Sequence, residues 1–199
     1  MDRPGKLIFK QLTNYDIPAI EEFCSKCLDL GYENNASLTA MKFNSAVFFA
    51  AFDNKKIASL AGIHKLPEIN DHAWRCLFRG AQLPGYTPKW SMDIFKSGIH
   101  FSQFLYQQIN YVKDPNAEFY ITTNLDNPKA GASSRLHKTM MPRLAKHGYL
   151  KLIAPSITLF NTNQSLWQVN VFNYMTARER WLADDNYTDQ IKADSFQAS

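Results

Sequence analysis

The sequence predicts a mixed α/β (α+β) chain with a largely antiparallel central sheet flanked by helices. Two observations place strands. The β-rich runs Ser45–Phe52 and Ile57–His64 flank Asp53-Asn54-Lys55-Lys56, a turn sequence, and "HAWRCLFRG" follows only a short "PEIND" later, so residues 46 to 79 form an antiparallel meander. A third observation places helices: from Ser91 onward, helix-period and strand-like stretches alternate.

Taken in order, "LIFKQL" over 7–12 reads as a short strand. In "TNYDIPAIEEFCSKCLDLG", Asp16 is placed to cap a helix, Pro18 suits its first turn, and Glu21 and Glu22 favour the positive end of its dipole. Ile17, Ile20, Phe23, Cys24, Cys27 and Leu28 then form one apolar stripe, which Gly31 ends. "SLTAMKF" offers a short second helix capped by Ser37. Residues 91–114 suit a helix with Ile94, Phe95, Ile99, Leu105, Ile109 and Val112 facing a core, although Gly98 weakens its middle. "AEFYITTN" is a strand. "SSRLHKTMMPRLAKHGY" is helical, with Pro142 kinking it or starting a second segment and Gly148 ending it. "KLIAPSITLF" and "SLWQVNVFNYM" are strands joined around Asn161–Gln164, and in the second Trp167, Val169 and Val171 share the apolar face while Gln168 and Asn170 share the other. The division expected is a single domain over 1–176 and a polar helix or tail over 177–199.

Composition narrows the function classes. With 199 residues, 45% hydrophobic and 20% charged, the chain can bury a core of its own. No apolar run approaches a membrane span, and the N-terminus lacks the apolar core of a signal peptide, so a cytoplasmic protein without membrane association is expected. Three cysteines, Cys24, Cys27 and Cys76, cannot all pair and read as reduced thiols. Cys24-x-x-Cys27 lies within the amphipathic helix, which favours core thiols over a dithiol or metal site, and no second ligand pair completes zinc ligation, so no metal is expected. The net charge of +4 suits an anionic ligand. Phe48, Phe49, Phe52, Trp74 and Phe78 on adjacent strands suggest a stacking sheet for single-stranded nucleic acid. No Arg/Lys platform accompanies them, which disfavours nucleic acid as the partner.

"FRGAQLPGYTPKW" is the segment with the most specific chemistry. It runs from a strand through Gln82, Gly85 and Thr87 toward a helix, the arrangement whose backbone N–H groups can cradle a diphosphate. Pro84 removes one such donor, and a plain strand-to-helix connection fits the same residues. Base candidates are Glu68, Asp71 and His72 before the third meander strand and His64 at the end of the second; each also suits an ordinary surface position.

In order, these elements resemble the GCN5-related N-acetyltransferase (GNAT) family over residues 7 to 175. "LIFKQLTNYDIPAIEEF" is similar to its first strand and helix, "VFFAAFDNKKIASLAGIHKL" to its second and third strands, "WRCLFRGAQLPGYT" to its fourth strand and diphosphate loop, and "YITTNLDNPKAGASS" to its fifth strand and following helix. In length and style the chain also resembles acetyltransferase-like proteins of bacterial viruses. The resemblance implies acetyl-coenzyme A or another acyl-coenzyme A as cofactor, bound through Gln82, Gly85, Thr87 and Asn127. It implies N-acylation of a small-molecule or protein amine, and it allows a homodimer. Thr87 stands where the family loop ends in Gly or Ala, and Ser134 stands where the family carries its Tyr general acid. The catalytic candidates are Ser134 at that acid position and, among the base candidates named above, His72 and Glu68. The alternatives are a non-catalytic binding or assembly module on the same fold and a single-stranded nucleic-acid-binding module.

Overall fold

In the computed structural model, residues 7–29, 45–79, 99–126 and 136–183 are described. They form β1 (Ile8–Gln11), α1 (Ile17–Asp29), β2 (Val47–Asp53), β3 (Lys56–Lys65), β4 (Ala73–Arg79), α2 (Ile99–Tyr111), β5 (Glu118–Asn124), α3 (Met141–Lys146), β6 (Leu150–Leu159), β7 (Thr162–Val169) and α4 (Val171–Ala183). The strands make one seven-stranded sheet in the order β1-β2-β3-β4-β5-β7-β6. Every neighbouring pair is antiparallel except β4–β5, which is parallel because α2 carries the chain back across the sheet. The mixed, largely antiparallel sheet flanked by helices is the class expected, and the meander β2–β3–β4 lies where the Asp53–Lys56 turn puts it.

Side-chain alternation divides the core between two faces. On one face α1 packs Ile20, Phe23, Cys24 and Cys27 against Phe48, Ala50, Phe52 and Leu60. Beyond it, on the same face, a smaller cluster joins Leu66 and Ala73 to Tyr120, Leu159 and Leu166. On the opposite face Phe104, Leu105 and Ile109 of α2, Met141 and Leu144 of α3 and Tyr174 of α4 bury Cys76, Ile121, Trp167 and Val169. The expected packing of Trp167 and Val169 on these helices is therefore found. All three cysteines are buried and none forms a disulfide.

Several boundaries differ from expectation for local reasons. Asp16 does not start α1; it ends a 3-10 turn over Asn14–Asp16, and its carboxylate accepts from the Thr13 N–H at 2.8 Å and from Lys10 Nζ at 2.8 Å. Pro142 falls in the first turn of α3, after a π-helical turn over Leu136–Met140, so it starts a segment instead of bending one. Gly148, at φ 76°, ends that helix as expected. The β6–β7 turn is Phe160-Asn161, both in the left-handed region, one position before the expected Asn161–Gln164.

The largest correction is at Asn170. The run from Val171 to Met175 is helix and not strand, because Asn170 Oδ1 accepts from the Asn173 N–H at 3.0 Å and caps α4. Val171 therefore leaves the strand face, and Asn170 is a cap instead of a strand amide. Of the polar segment expected over 177–199, residues 177–183 lie within α4, where Arg178 is buried against Gln103 and the Tyr106 ring, and 184–199 lie outside the described residues. The expected helix at Ser37 and residues 91–98 lie outside the described residues. Among those described, no helix is long and apolar enough to cross a membrane.

Candidate functional site

The sheet opens at one place. β4 and β5 are paired from Ala73↔Glu118 to Cys76↔Ile121, and there the pairing stops. β4 continues to Arg79 and β5 to Asn124, with β3 and β7 holding their outer edges. Past Cys76 and Ile121, then, the two parallel strands run on without pairing to each other, so the backbone N–H and C=O groups on their facing edges are not bonded across the pair. Such groups call for partners when buried.

Side chains from the α2 face support this opening. Gln108 is fully buried and donates from Nε2 to Gly62 O at 2.7 Å and to Leu77 O at 3.2 Å. It thereby fixes β4 just past its last pairing with β5. The Gln108 Oε1 and Thr123 Oγ1 atoms are buried without a hydrogen-bond partner among the described residues. An unpartnered buried polar atom costs about 1–3 kcal/mol, so these groups and the parted strand edges suit a ligand carrying amides. Burial pushes the thiol pKa of the neighbouring Cys76 far up and disfavours its thiolate.

The other face of the opening carries Arg75 and Thr122. Arg75 Nε donates to Thr122 Oγ1 at 2.7 Å, across β4 and β5. Its guanidinium lies 4.2 Å from the centroid of Phe160, which reaches over from the β6–β7 turn. Just past Asn124, Asp126 accepts from the Asn163 N–H at 2.8 Å and from Asn163 Nδ2 at 3.0 Å, and these bonds hold its carboxyl pKa below the usual range. The end of β5 is thus clamped to β7.

Of the residues the sequence singles out, Gln82, Gly85, Thr87, Asn127 and Ser134 lie outside the described residues. Glu68, Asp71 and His72 occupy the exposed β3–β4 turn, ahead of β4, whereas the strands part at its other end. His72 Nδ1 is 3.0 Å from Asp114 Oδ2, and His64 turns its ring edge toward Phe160. The structure therefore does not bring His72 or Glu68 to the opening. Near that turn, Glu118 accepts from Asn70 Nδ2 and from the Tyr120 hydroxyl, each at 2.8 Å. The Asn70 bond and then the Tyr120 bond lower the Glu118 pKa, while burial first and Glu118 second raise that of Tyr120 to about 12. Gln168 and Asn170 border an open groove of about 330 Å³ there, with Lys151 and Glu118. Among the described residues no group of three or more His, Cys, Asp or Glu side chains could hold a metal. Sequence reasoning missed Arg75, Thr122 and Gln108.

Comparison with solved structures shows that this mixed, largely antiparallel sheet has the fold of GNAT acetyltransferases. An acetyltransferase of the GNAT family from Streptococcus pneumoniae superimposes with a TM-score of 0.51 at 13% identity, covering 81% of this chain and 98% of that one. FeeM, an N-acyl amino acid synthase from uncultured soil microbes, gives 0.52 at 11% identity over 85% and 93%. Arabidopsis thaliana NAA60, solved in complex with acetyl-CoA, gives 0.51 at 10% identity over 81% and 97%. No protein-family model and no curated protein sequence matches the chain.

Proposed function

We propose that this chain is an acyl-coenzyme A-dependent N-acyltransferase acting on an amine, small molecule or protein. The observation that carries the reading is the parting of β4 from β5 after Cys76 and Ile121 within this fold. When bound, acyl-coenzyme A supplies an activated thioester. The backbone of Leu77–Arg79, with Gln108 and Thr123, would pair with the amides of its arm. Gln82, Gly85, Thr87 and Asn127 are proposed to hold its diphosphate end. Ser134 is proposed to donate a hydrogen bond to the leaving sulfur, weakly, since a serine hydroxyl is a poor acid. Because His72 and Glu68 stand ahead of β4, any role for them in deprotonating the acceptor is assigned to a relay through water.

Calorimetry with acetyl-coenzyme A tests this directly. Saturable binding is expected, weakened at least about tenfold, or ~1.4 kcal/mol, by Gly85→Val, whose side chain blocks close backbone approach. No heat and no thermal shift at millimolar coenzyme would end the proposal. A second reading, a coenzyme-binding module without catalysis, is favoured by one observation. The described residues flanking the opening (Arg75, Cys76, Leu77, Thr122, Thr123 and Asn124) include no general base. Coenzyme binding with no thiol release against a panel of amines would select that reading.

A further inference from the structure

We propose that the groove bordered by Glu118, Lys151 and Gln168 binds a small α-amino acid, held by both its ammonium and its carboxylate. The groove lies where β5 and β6 begin and where β7 passes into α4. β4 and β5 part beyond Ile121, toward the other end of β5, so this site is separate from the opening and does not rest on the acyltransferase reading. Its volume of about 330 Å³ is at the small end of ligand sites, ~300–1,000 Å³. Lys151 pairs with Gln168, and Gln168 with Tyr120, in the sheet register. Glu118 is in step with Tyr120 along β5, so all four side chains belong to one face of the sheet. The β6–β7 hairpin closes that face over Tyr120 and Leu166 with Ile157 and Leu159, none of which lines the groove.

The charges on the groove name the ligand. Glu118 is a fixed anion. Asn70 Nδ2 and the Tyr120 hydroxyl each donate to it at 2.8 Å, and both bonds enter Oε2. Asn70 is itself held, since its Oδ1 accepts from the His72 N–H at 2.8 Å. The Asn70 bond and then the Tyr120 bond lower the carboxyl pKa, so Glu118 is ionised at neutral pH. Its Oε1 accepts no hydrogen bond among the described residues. Lys151 is exposed and makes no ion pair among the described residues, with Glu118 or with any other acid. Two opposite charges thus border one groove without neutralising each other. An α-amino acid carries the complementary pair on neighbouring groups. Its ammonium suits Glu118 Oε1, and its carboxylate suits Lys151 Nζ. Gln168 stands between them in the register, and its Nε2 is only loosely engaged by the Tyr120 hydroxyl, at 3.5 Å. That amide can donate to the carboxylate or accept from the ammonium. A ligand with one charge leaves the other side of the groove unmatched.

The test follows the Gln168 side-chain amide by NMR in the isotope-labelled full chain, without coenzyme. Three pools are titrated separately: glycine, alanine and serine; their amides, which lack the carboxylate; and their N-acetyl derivatives, which lack the ammonium. The amino acids should shift Gln168 saturably and bind at least about tenfold more tightly than either derivative, the scale of one charge-assisted bond. Lys151→Gln should remove the preference over the amides, and Glu118→Gln the preference over the N-acetyl acids. Lys151 is exposed, so its variant should fold and decides the matter even where loss of the Glu118 charge disturbs the Asn70 and Tyr120 bonds. No shift of Gln168 at tens of millimolar amino acid would overturn the assignment. So would equal binding of either derivative, or a Lys151→Gln protein that keeps the full preference over the amides. None of these outcomes bears on acetyl-coenzyme A binding, which calorimetry tests by itself.

Discussion

Gly62→Ala is the sharpest test of how β3 supports the opening. Gly62 lies opposite Phe48 in the β2–β3 register, and a Cβ there would sit 2.9 Å from Phe48 Cδ1 and Cε1 and 3.2 Å from Val47 O. Phe48 cannot swing aside cheaply, being 1% exposed and packed among Phe23, Cys24 and Leu60. Nor can β3 retreat freely, since Gly62 O accepts the Gln108 bond that also reaches Leu77. Overpacking of this kind costs about 1–3 kcal/mol. The reduced freedom of the unfolded chain returns about 0.4–1 kcal/mol. A net loss of about 1–2 kcal/mol remains, which for a chain of this size lowers Tm by about 2–8 °C. Thermal melts followed by circular dichroism read this out. Adding Phe48→Leu should recover part of the loss, with a coupling of about 1 kcal/mol in the double-mutant cycle. A Gly62→Ala protein melting at or above the wild-type temperature, or strictly additive effects, would refute the steric account.

The other expectations rest on single contacts. Asn170→Ala removes the cap of α4 and should cost about 1 kcal/mol, seen as a Tm lowered by about 2–4 °C; an unchanged melt would show that the cap contributes nothing. Glu118 titrates below the ordinary carboxylate range because of its bonds from Asn70 and Tyr120, so its stabilising contribution is present above about pH 4.3, the unfolded value, and is lost as pH falls through the lower folded value. In Tyr120→Phe the NMR titration of Glu118 should move up toward the ordinary value, and an unmoved curve would contradict this origin of the shift. Cys76 is buried with its thiol pKa raised, so iodoacetamide at pH 8 should leave it unmodified in the native protein and alkylate it on denaturation; rapid native labelling of Cys76 would place it on an accessible surface.

Local chemistry made most elements legible. Asp53-Asn54-Lys55-Lys56 can do little but turn, and Asn54 adopts φ 55° there. The Ile20, Phe23, Cys24 and Cys27 stripe is buried as its spacing requires. What failed to show were points where one side chain decides the outcome. "SLWQVNVFNYM" keeps strand-like residues on both sides of Asn170, and only the side-chain bond to Asn173 converts the second half to helix. The β6–β7 turn was displaced because it uses Phe160, a residue that turn chemistry disfavours, where Asn161-Thr162-Asn163-Gln164 offered conventional turn residues.

The candidate site was legible only in outline, and the reason is physical. Order of elements locates a parallel β4–β5 contact, because α2 intervenes between two neighbouring strands. Where that contact ends depends on tertiary support: Gln108 holding Leu77, and Asp126 holding the end of β5 to Asn163. Gln108 reads in sequence as one polar residue of an amphipathic helix, and only its complete burial marks it. Arg75 and Thr122 are 47 positions apart and lie on what reads as an ordinary polar strand face. His72 and Glu68 were conspicuous because titratable residues stand out beside a strand, yet the direction of β4 puts them ahead of it while the opening lies beyond Cys76. In a parallel pair both strands deliver their C-terminal ends to the same edge. Residues following β4 and β5 can therefore converge on one ligand, and residues preceding them cannot without spanning the sheet. If the parted edge holds the ligand, as the proposed function has it, that constraint puts Leu77 and Thr123, past the last pairing, on the ligand's side of the sheet and the β3–β4 turn on the other.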